Sequence, residues 1–212
     1  MKLIYRGAEA DVFKGVWCGL PAIYKVRTPL RYRLPELDEA IRTQRTVHEA
    51  QMIYLSKVAG VSAPHLFYLS SREALLVMEY LGGDRLKTLL LESGLSRSRV
   101  TSLGEGLGSS IGRLHSAGIM HGDLTTSNVM VDGGALSLID FGLAVRTSRL
   151  EDQAVDLRLI KETLTGAHNN ISRQFMQSLL DGYSSVRGSE RARAAAKKLS
   201  EIERRGRYAR VD

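Results

Sequence analysis

His121-Gly122-Asp123-Leu124-Thr125-Thr126-Ser127-Asn128 is followed, twelve residues beyond Asn128, by Asp140-Phe141-Gly142. Asp123 and Asn128 are five residues apart, a loop length that presents a carboxylate and a carboxamide to one pocket. The Asp123 carboxylate would orient a hydroxyl or a water, and the Asn128 amide oxygen would ligate a metal. Asp140, leaving the second strand of a short hairpin, would add a carboxylate to the same ion. Hard oxygen ligands of this kind suit Mg2+ bridging nucleotide phosphates. Taken singly, an Asp after a helix and a glycine also reads as a turn former, and Asp-Phe-Gly as a bend.

In this order and spacing the two runs resemble the catalytic-loop and metal-binding motifs of protein kinases. That resemblance implies a lysine, a glutamate and a phosphate-covering turn earlier in the chain. Ala22-Ile23-Tyr24-Lys25 ends a predicted strand and resembles the kinase Val-Ala-Ile-Lys run. Glu49 lies 24 residues on, between Val47 and Ile53 on the apolar side of a predicted helix. A glutamate there is a misfit on a buried face, and pairing with Lys25 would explain it by fixing the ammonium against the α- and β-phosphates of ATP. The turn Gly7-Ala8-Glu9-Ala10-Asp11-Val12 keeps only the first glycine of Gly-x-Gly-x-x-Gly. Small Ala8 and Ala10 still let backbone approach phosphates, less freely than glycine. Met78-Glu79-Tyr80-Leu81 resembles a kinase hinge, in which the Glu79 carbonyl and Leu81 amide would read the adenine edge with Met78 behind them. An edge strand running into a turn is the alternative.

The elements that must position these residues divide at Gly82-Gly83. Before it, Lys2–Tyr5, Asp11–Val16 and Pro21–Val26 read as strands, followed by a basic loop between Arg27 and Pro35 that is bracketed by Pro29 and Pro35. A long helix is predicted from an Asp38 N-cap to Gly60, then a strand pair at Leu66–Leu69 and Leu75–Glu79. After it, Arg85–Leu91 and Val100–Ser116 read as helices, and Val129–Val131 with Leu136–Ile139 as a hairpin around Gly133-Gly134. Helices are expected again at Gln153–Thr163, Ser172–Val186 and from Ser189 to about Glu203. The expected class is α+β, a minimal two-lobed kinase-like fold. Its β-rich first lobe with one long helix spans 1–81, its truncated, mostly helical second lobe spans 84–203, and a basic tail occupies 204–212.

The composition is that of a globular chain. Its 212 residues allow one domain or two joined lobes, and 43% apolar with 25% charged residues excludes a disordered or fibrous protein. Cys18 is the only cysteine, so neither an internal disulfide nor a cysteine-based zinc cluster is possible. No apolar run reaches the 18 residues of a membrane span, and Met1–Gly7 lacks the apolar stretch of a secretory signal. A soluble, cytoplasmic protein is expected. Of the net charge of +7, +5 resides in residues 187–212, where nine basic residues face four acidic ones. That tail suits an anionic partner. Arg204, Arg205, Arg207 and Arg210, with Tyr208, would place cations and a stacking ring on flexible backbone for RNA phosphates; a solvated charged helix is the plainer reading, and folding back onto the ATP site or a partner is a third.

Three departures from the kinase pattern narrow the resemblance. His-Gly-Asp replaces His-Arg-Asp, removing the arginine that would receive a phosphorylated activation loop. Only sixteen residues separate Asp140 from Asp156, with no Ala-Pro-Glu between them. The second lobe ends soon after. Together with Gly-Ala-Glu-Ala, the loop Lys25-Val26-Arg27…Tyr32-Arg33…Leu37-Asp38, the run Arg45-Thr46-Val47-His48-Glu49-Ala50 and the Arg-Arg-Gly-Arg ending, the chain resembles the small atypical kinase subunit of the KEOPS/EKC complex. The resemblance runs from about Gly7 to Arg207. It implies a supporting role in forming threonylcarbamoyladenosine on tRNA, with partner-stimulated ATPase and serine/threonine kinase activities. It also implies that the second lobe binds the threonylcarbamoyl-transferring subunit, the first lobe a small regulatory subunit, and the tail tRNA. By position it assigns Lys25 and Glu49 to the phosphates, Asp123 to the base or water orienter, and Asn128 and Asp140 to Mg2+. Asp156 would brace the catalytic loop, although an acid opening a helix is more commonly a plain N-terminal charge. A nucleotide-binding adaptor without required turnover and a RIO-like phosphotransferase are the alternatives.

Overall fold

The computed structural model describes residues 1–92, 95–167 and 169–208, apart from the side chains at 167, 169, 170 and 206–208. Antiparallel strands and one long helix make the first lobe. β1 (Lys2–Arg6), β2 (Asp11–Trp17) and β3 (Leu20–Val26) form a meander, with β2 and β3 in unbroken register from Asp11↔Val26 to Trp17↔Leu20. β4 (Leu66–Ser70) and β5 (Leu75–Glu79) form a second hairpin, and the sheet order is β1-β2-β3-β5-β4. β5 is therefore interior. The stretch leading into Met78–Leu81 is not an edge strand.

Helix α1 (Pro35–Val58) lies against β4 and β5 through Ala50, Met52 and Ile53. It starts three residues before the expected cap. Pro35 takes the first helical position, where its missing N–H costs nothing. Asp38 is not the N-cap; it lies inside the first turn, and its buried carboxylate accepts from Arg42 Nε at 2.7 Å and from the Leu30 N–H at 3.3 Å. The Arg42 hydrogen bond holds that carboxyl below its ordinary pKa.

The second lobe begins with β6 (Asp84–Arg85), α2 (Leu86–Leu91) and α3 (Arg97–Ser116). β7 (Ile119–Met120), a single 3-10 turn (Thr126–Asn128), β8 (Val129–Asp132), β9 (Ala135–Leu138) and β10 (Val145–Arg146) follow. It ends in α4 (Leu150–Ala167), α5 (Asn169–Arg187) and α6 (Ser189–Tyr208). α2 starts one residue later than expected, whereas α3 to α6 run beyond their expected limits. Ser96 accepts the Arg99 N–H at 3.2 Å and so starts α3 at Arg97. The two-residue strands β6, β7 and β10 exist only by pairing, β6 with β8 and β10 with β7.

Leu103, Leu107, Ile111 and Leu114 form the buried stripe of α3, and Phe175, Leu179 and Tyr183 that of α5. The two helices touch backbone to backbone. A Cβ on Gly108 would run into the Leu179 carbonyl, and one on Gly182 into that of Glu105. The lobes are joined where the Leu138 N–H donates to the Ser62 carbonyl at 2.9 Å. Among the described residues, no helix is long and apolar enough to cross a membrane.

Candidate active site

The loop leaving β7 is anchored from below. Fully buried Asp156 accepts the His121 N–H at 2.6 Å on one oxygen and the Gly122 N–H at 2.9 Å on the other. The first oxygen also takes His115 Nε2 at 3.2 Å, and His115 Nδ1 faces the Tyr183 hydroxyl at 3.1 Å. With Nε2 donating to a carboxylate, Nδ1 is left to accept the Tyr183 O–H. Burial pushes the Tyr183 phenol above its ordinary pKa, which keeps it a donor. Asp156 does not open a helix: α4 starts at Leu150, and the acid sits in its second turn, facing the core.

His121 ties the loop to the segment after β9. Its Nε2 donates to the Ile139 carbonyl at 3.1 Å, its Nδ1 accepts the Asp123 N–H at 3.3 Å, and its ring packs on Phe141 at 4.8 Å. Burial lowers its pKa, so the ring is neutral with its proton on Nε2. Asn128 Nδ2 donates to both the backbone carbonyl and the carboxylate of Asp123, at 2.9 and 2.8 Å. The amide nitrogen is thus committed, and Asn128 Oδ1 is the atom left to face a cation.

Asp140 stands at φ 63°, a left-handed conformation that costs a side-chain-bearing residue and is typical of functional sites. Its Oδ1 accepts from Lys25 Nζ at 2.8 Å, and the same ammonium donates to Glu49 Oε1 at 2.7 Å. The other Glu49 oxygen accepts from Arg27 Nη2 at 2.6 Å. Two cations and two carboxylates therefore form one balanced group, which is what allows Glu49 to be fully buried. Burial works against the Lys25 charge, but Glu49 and Asp140 outweigh it and raise its pKa. For Asp140, burial works against ionisation and the Lys25 ammonium overrides it, leaving the carboxyl below its ordinary value.

These donors fit a divalent cation shared with a nucleotide. Among the described residues no three His, Cys, Asp or Glu side chains form a metal cage. Mg2+ needs none: it is usually held by one or two carboxylates with phosphate oxygens and water completing the octahedron. Asp140 supplies an ionised carboxylate, and Asn128 an amide oxygen.

Two residues close the site from its flanks. His48, next to Glu49 on α1, places Nε2 at 2.6 Å from the Ala144 carbonyl and so holds the helix to the segment after Asp140. Gly122 sits at φ 81°, and a Cβ there would run into the Leu143 carbonyl. The loop therefore excludes any larger residue at this position; the missing arginine of His-Gly-Asp follows from close backbone packing.

The protein kinase domain family matches residues 6–176. The chain is 40% identical to the KEOPS complex subunit Bud32 of Pyrococcus abyssi, over 98% of this chain and 96% of that protein. Identity to the EKC/KEOPS complex subunit BUD32 of Yarrowia lipolytica is 36%, over 97% of this chain and 91% of that one. The chain belongs to the Bud32 family of protein kinase domains. A probable bifunctional tRNA threonylcarbamoyladenosine biosynthesis protein of Methanothermobacter thermautotrophicus is 37% identical over 97% of this chain, which spans 36% of that relative's length. The fold is that of the Rio2 kinase solved from Chaetomium thermophilum as an ADP/Mg2+–phosphoaspartate complex. Its TM-score is 0.64 at 16% identity, covering 99% of this chain and 72% of that one.

Within this family member, the other residues expected at a site fall in three places. Gly7, Ala8, Glu9, Ala10 and Val12 lie in or beside the β1–β2 turn, closed by the Gly7 N–H donating to the Ala10 carbonyl at 2.9 Å. Glu79, Leu81 and buried Met78 form the link between the lobes. Arg204 and Arg205 are not on flexible backbone: α6 continues through Tyr208, and Arg205 Nη1 donates to Glu151 on α4 at 3.2 Å. The Arg207 side chain and Arg210 lie outside the described residues. Sequence reasoning missed Arg27, His48, His115 and Tyr183. Arg27 carried a signal, since two residues beyond Lys25 on an extended chain returns to the same face. His115 and Tyr183, 68 residues apart, carried none.

Proposed function

We propose that the chain is an ATP-dependent atypical serine/threonine kinase and partner-stimulated ATPase that works as a KEOPS subunit in forming threonylcarbamoyladenosine on tRNA. The observation that carries this reading is the meeting of Glu49 and Asp140 on the Lys25 ammonium, at 2.7 and 2.8 Å. Lys25 and Asp140 are 115 residues apart in sequence, yet the carboxylates of Glu49 and Asp140 bear on this one cation.

Lys25, oriented by Glu49, holds the α- and β-phosphates. The Asp123 carboxylate, fixed on one oxygen by Asn128, uses the other to orient a water or hydroxyl for in-line attack on the terminal phosphorus and to accept its proton. Asn128 and Asp140 would hold Mg2+, which when bound neutralises charge on the β- and γ-phosphates. Gly7, Ala8, Glu9, Ala10 and Val12 cover the phosphates, and Met78, Glu79 and Leu81 flank the adenine. The second lobe takes the threonylcarbamoyl-transferase subunit, the first lobe the small regulatory subunit, and the basic end of α6 the tRNA. The family relationship and the charge of that end support these partner assignments.

The test follows phosphate from γ-labelled ATP onto water or protein, with and without the transferase partner. Asp123→Ala lowers turnover on the order of 100-fold or more while nucleotide binding survives. Unchanged turnover overturns the catalytic assignment. Full support of tRNA modification by Asp123→Ala in cells favours an adaptor instead.

A further inference from the structure

The residues of the Arg33…Asp38 loop and of the Arg45 run remain without a role in the account above, and the structure joins them to the phosphate-covering turn. Asp38, Arg42, Arg45 and Glu49 fall on one face of α1, spaced by three or four residues. Asp38 and Glu49 on that face are buried, yet the face is charged. Its apolar alternative would have packed on the sheet; instead it carries ion pairs outward to the turn. Glu9, at the tip of the turn between β1 and β2, is ion-paired with Arg45 of α1 and, at 3.6 Å, with Arg33. Arg33 continues to Asp38 at 3.6 Å, and Asp38 to Arg42 at 2.7 Å.

A carboxylate at the tip of such a turn needs a reason. Beneath it, phosphates would repel a free glutamate, and the two alanines beside it make the backbone stiffer than the usual glycines. Both difficulties are met when the carboxylate is neutralised by two guanidiniums and turned toward α1. The anchoring helix also presents Glu49, one turn beyond Arg45. Turn and Glu49 are thereby fixed to one rigid body.

We propose that Glu9 is a positioning residue, latched by Arg45 and Arg33, that holds the β1–β2 turn down over the nucleotide phosphates and couples it to α1. Its function rests on the nucleotide reading above; the latch itself does not. The latch closes through side chains rather than through glycine flexibility. Because Glu9 and Arg45 are each about two-fifths exposed (43% and 41%), the pair is screened by salt and works by joining a network.

The experiment compares the full chain with Glu9→Gln, Arg45→Ala and the charge-reversed double variant Glu9→Arg/Arg45→Glu. Amide hydrogen exchange of residues 7–12 is measured without nucleotide, and dissociation of a fluorescent ATP analogue with it. Each single variant speeds exchange about three- to tenfold, and the reversed pair, which restores the contact with position 45 but not that with Arg33, recovers part of the protection. Analogue dissociation rises by a similar factor. Unaltered exchange in the singles, or a reversed pair that exchanges as fast as they do, overturns the latch. Faster exchange with unaltered analogue dissociation overturns its role over the phosphates. A parent chain that binds no analogue overturns the nucleotide reading instead, while the exchange arm still decides the latch.

Discussion

Asp156 offers a perturbation whose size is readable from its partners. It is fully buried and receives three donors: the His121 and Gly122 N–H groups and His115 Nε2. Asp156→Ala leaves all three unpaired at about 1–3 kcal/mol each, or about 3–9 kcal/mol against a total stability of about 5–15 kcal/mol, so that variant is near unfolding. Asp156→Asn is the sharper test. Its single oxygen keeps the partners of one carboxylate oxygen, and its NH2 then confronts a backbone N–H donor to donor. One buried bond is lost, costing about 1–3 kcal/mol. The same loss loosens the backbone immediately before Asp123, and a small misplacement there lowers turnover about tenfold or more. Urea unfolding followed by circular dichroism gives the first quantity, and ATP turnover well below the transition gives the second. Glu162→Gln, which removes an exposed pair with Arg158, is the control and stays within about 0.5 kcal/mol. An Asp156→Asn variant as stable and as active as the parent would refute the brace.

The Lys25–Asp140 pair makes stability pH-dependent at both ends. Asp140 has its pKa lowered on folding, so its contribution is present above its ordinary value of 3.8 and is lost as acid protonates it below that. Lys25 has its pKa raised, so its contribution is full below 10.5 and fades as alkali strips it above. Denaturant midpoints measured across pH should show both losses, with Asp140→Asn flattening the acid limb and Lys25→Met the alkaline one. Glycine substitutions in two helices should have opposite signs. Gly108→Ala, meeting the Leu179 backbone, destabilises by about 1–3 kcal/mol, whereas Gly166→Ala in α4, with nothing within 4 Å, gains about 0.5–1 kcal/mol in the same unfolding assay. Deleting residues 204–212 should weaken tRNA binding and flatten its salt dependence, measured by filter binding between low and moderate salt; equal slopes would remove the tail from the interface.

Much of the site's geometry was legible because its residues violate local rules. Glu49 stands out as an acid on the buried face of a periodic helix, and that misfit leads directly to Lys25. Asp123 and Asn128 are close in sequence, so their hydrogen bond follows from a short loop. What sequence could not carry is long-range pairing without a local anomaly. His115 reads as a polar residue near the end of α3, and only the packing of α4 and α5 reveals Asp156 and Tyr183 on either side of it. Arg27 shares the face of Lys25 two residues on, a signal that is easily lost among the other basic residues of the loop until Glu49 needs a second cation. The start of α1 was misplaced because Asp38 resembles a cap, while Pro35 is the better first residue and Asp38 is needed by Arg42 and Leu30. β6, β7 and β10 are too short for alternation to register. The glycine of His-Gly-Asp looked like a lost arginine, and the Leu143 carbonyl shows why nothing larger fits.

The central claim is that Asn128 and Asp140 present oxygen to the same cation that the nucleotide phosphates hold, beside Lys25. It is tested most directly by the Mg2+ dependence of ATP affinity, measured by titration calorimetry in the parent chain and in Asp140→Asn. The parent should bind ATP more tightly as Mg2+ is raised from zero to millimolar, and Asp140→Asn should lose most of that gain while remaining folded. An undiminished Mg2+ response in Asp140→Asn would contradict the account.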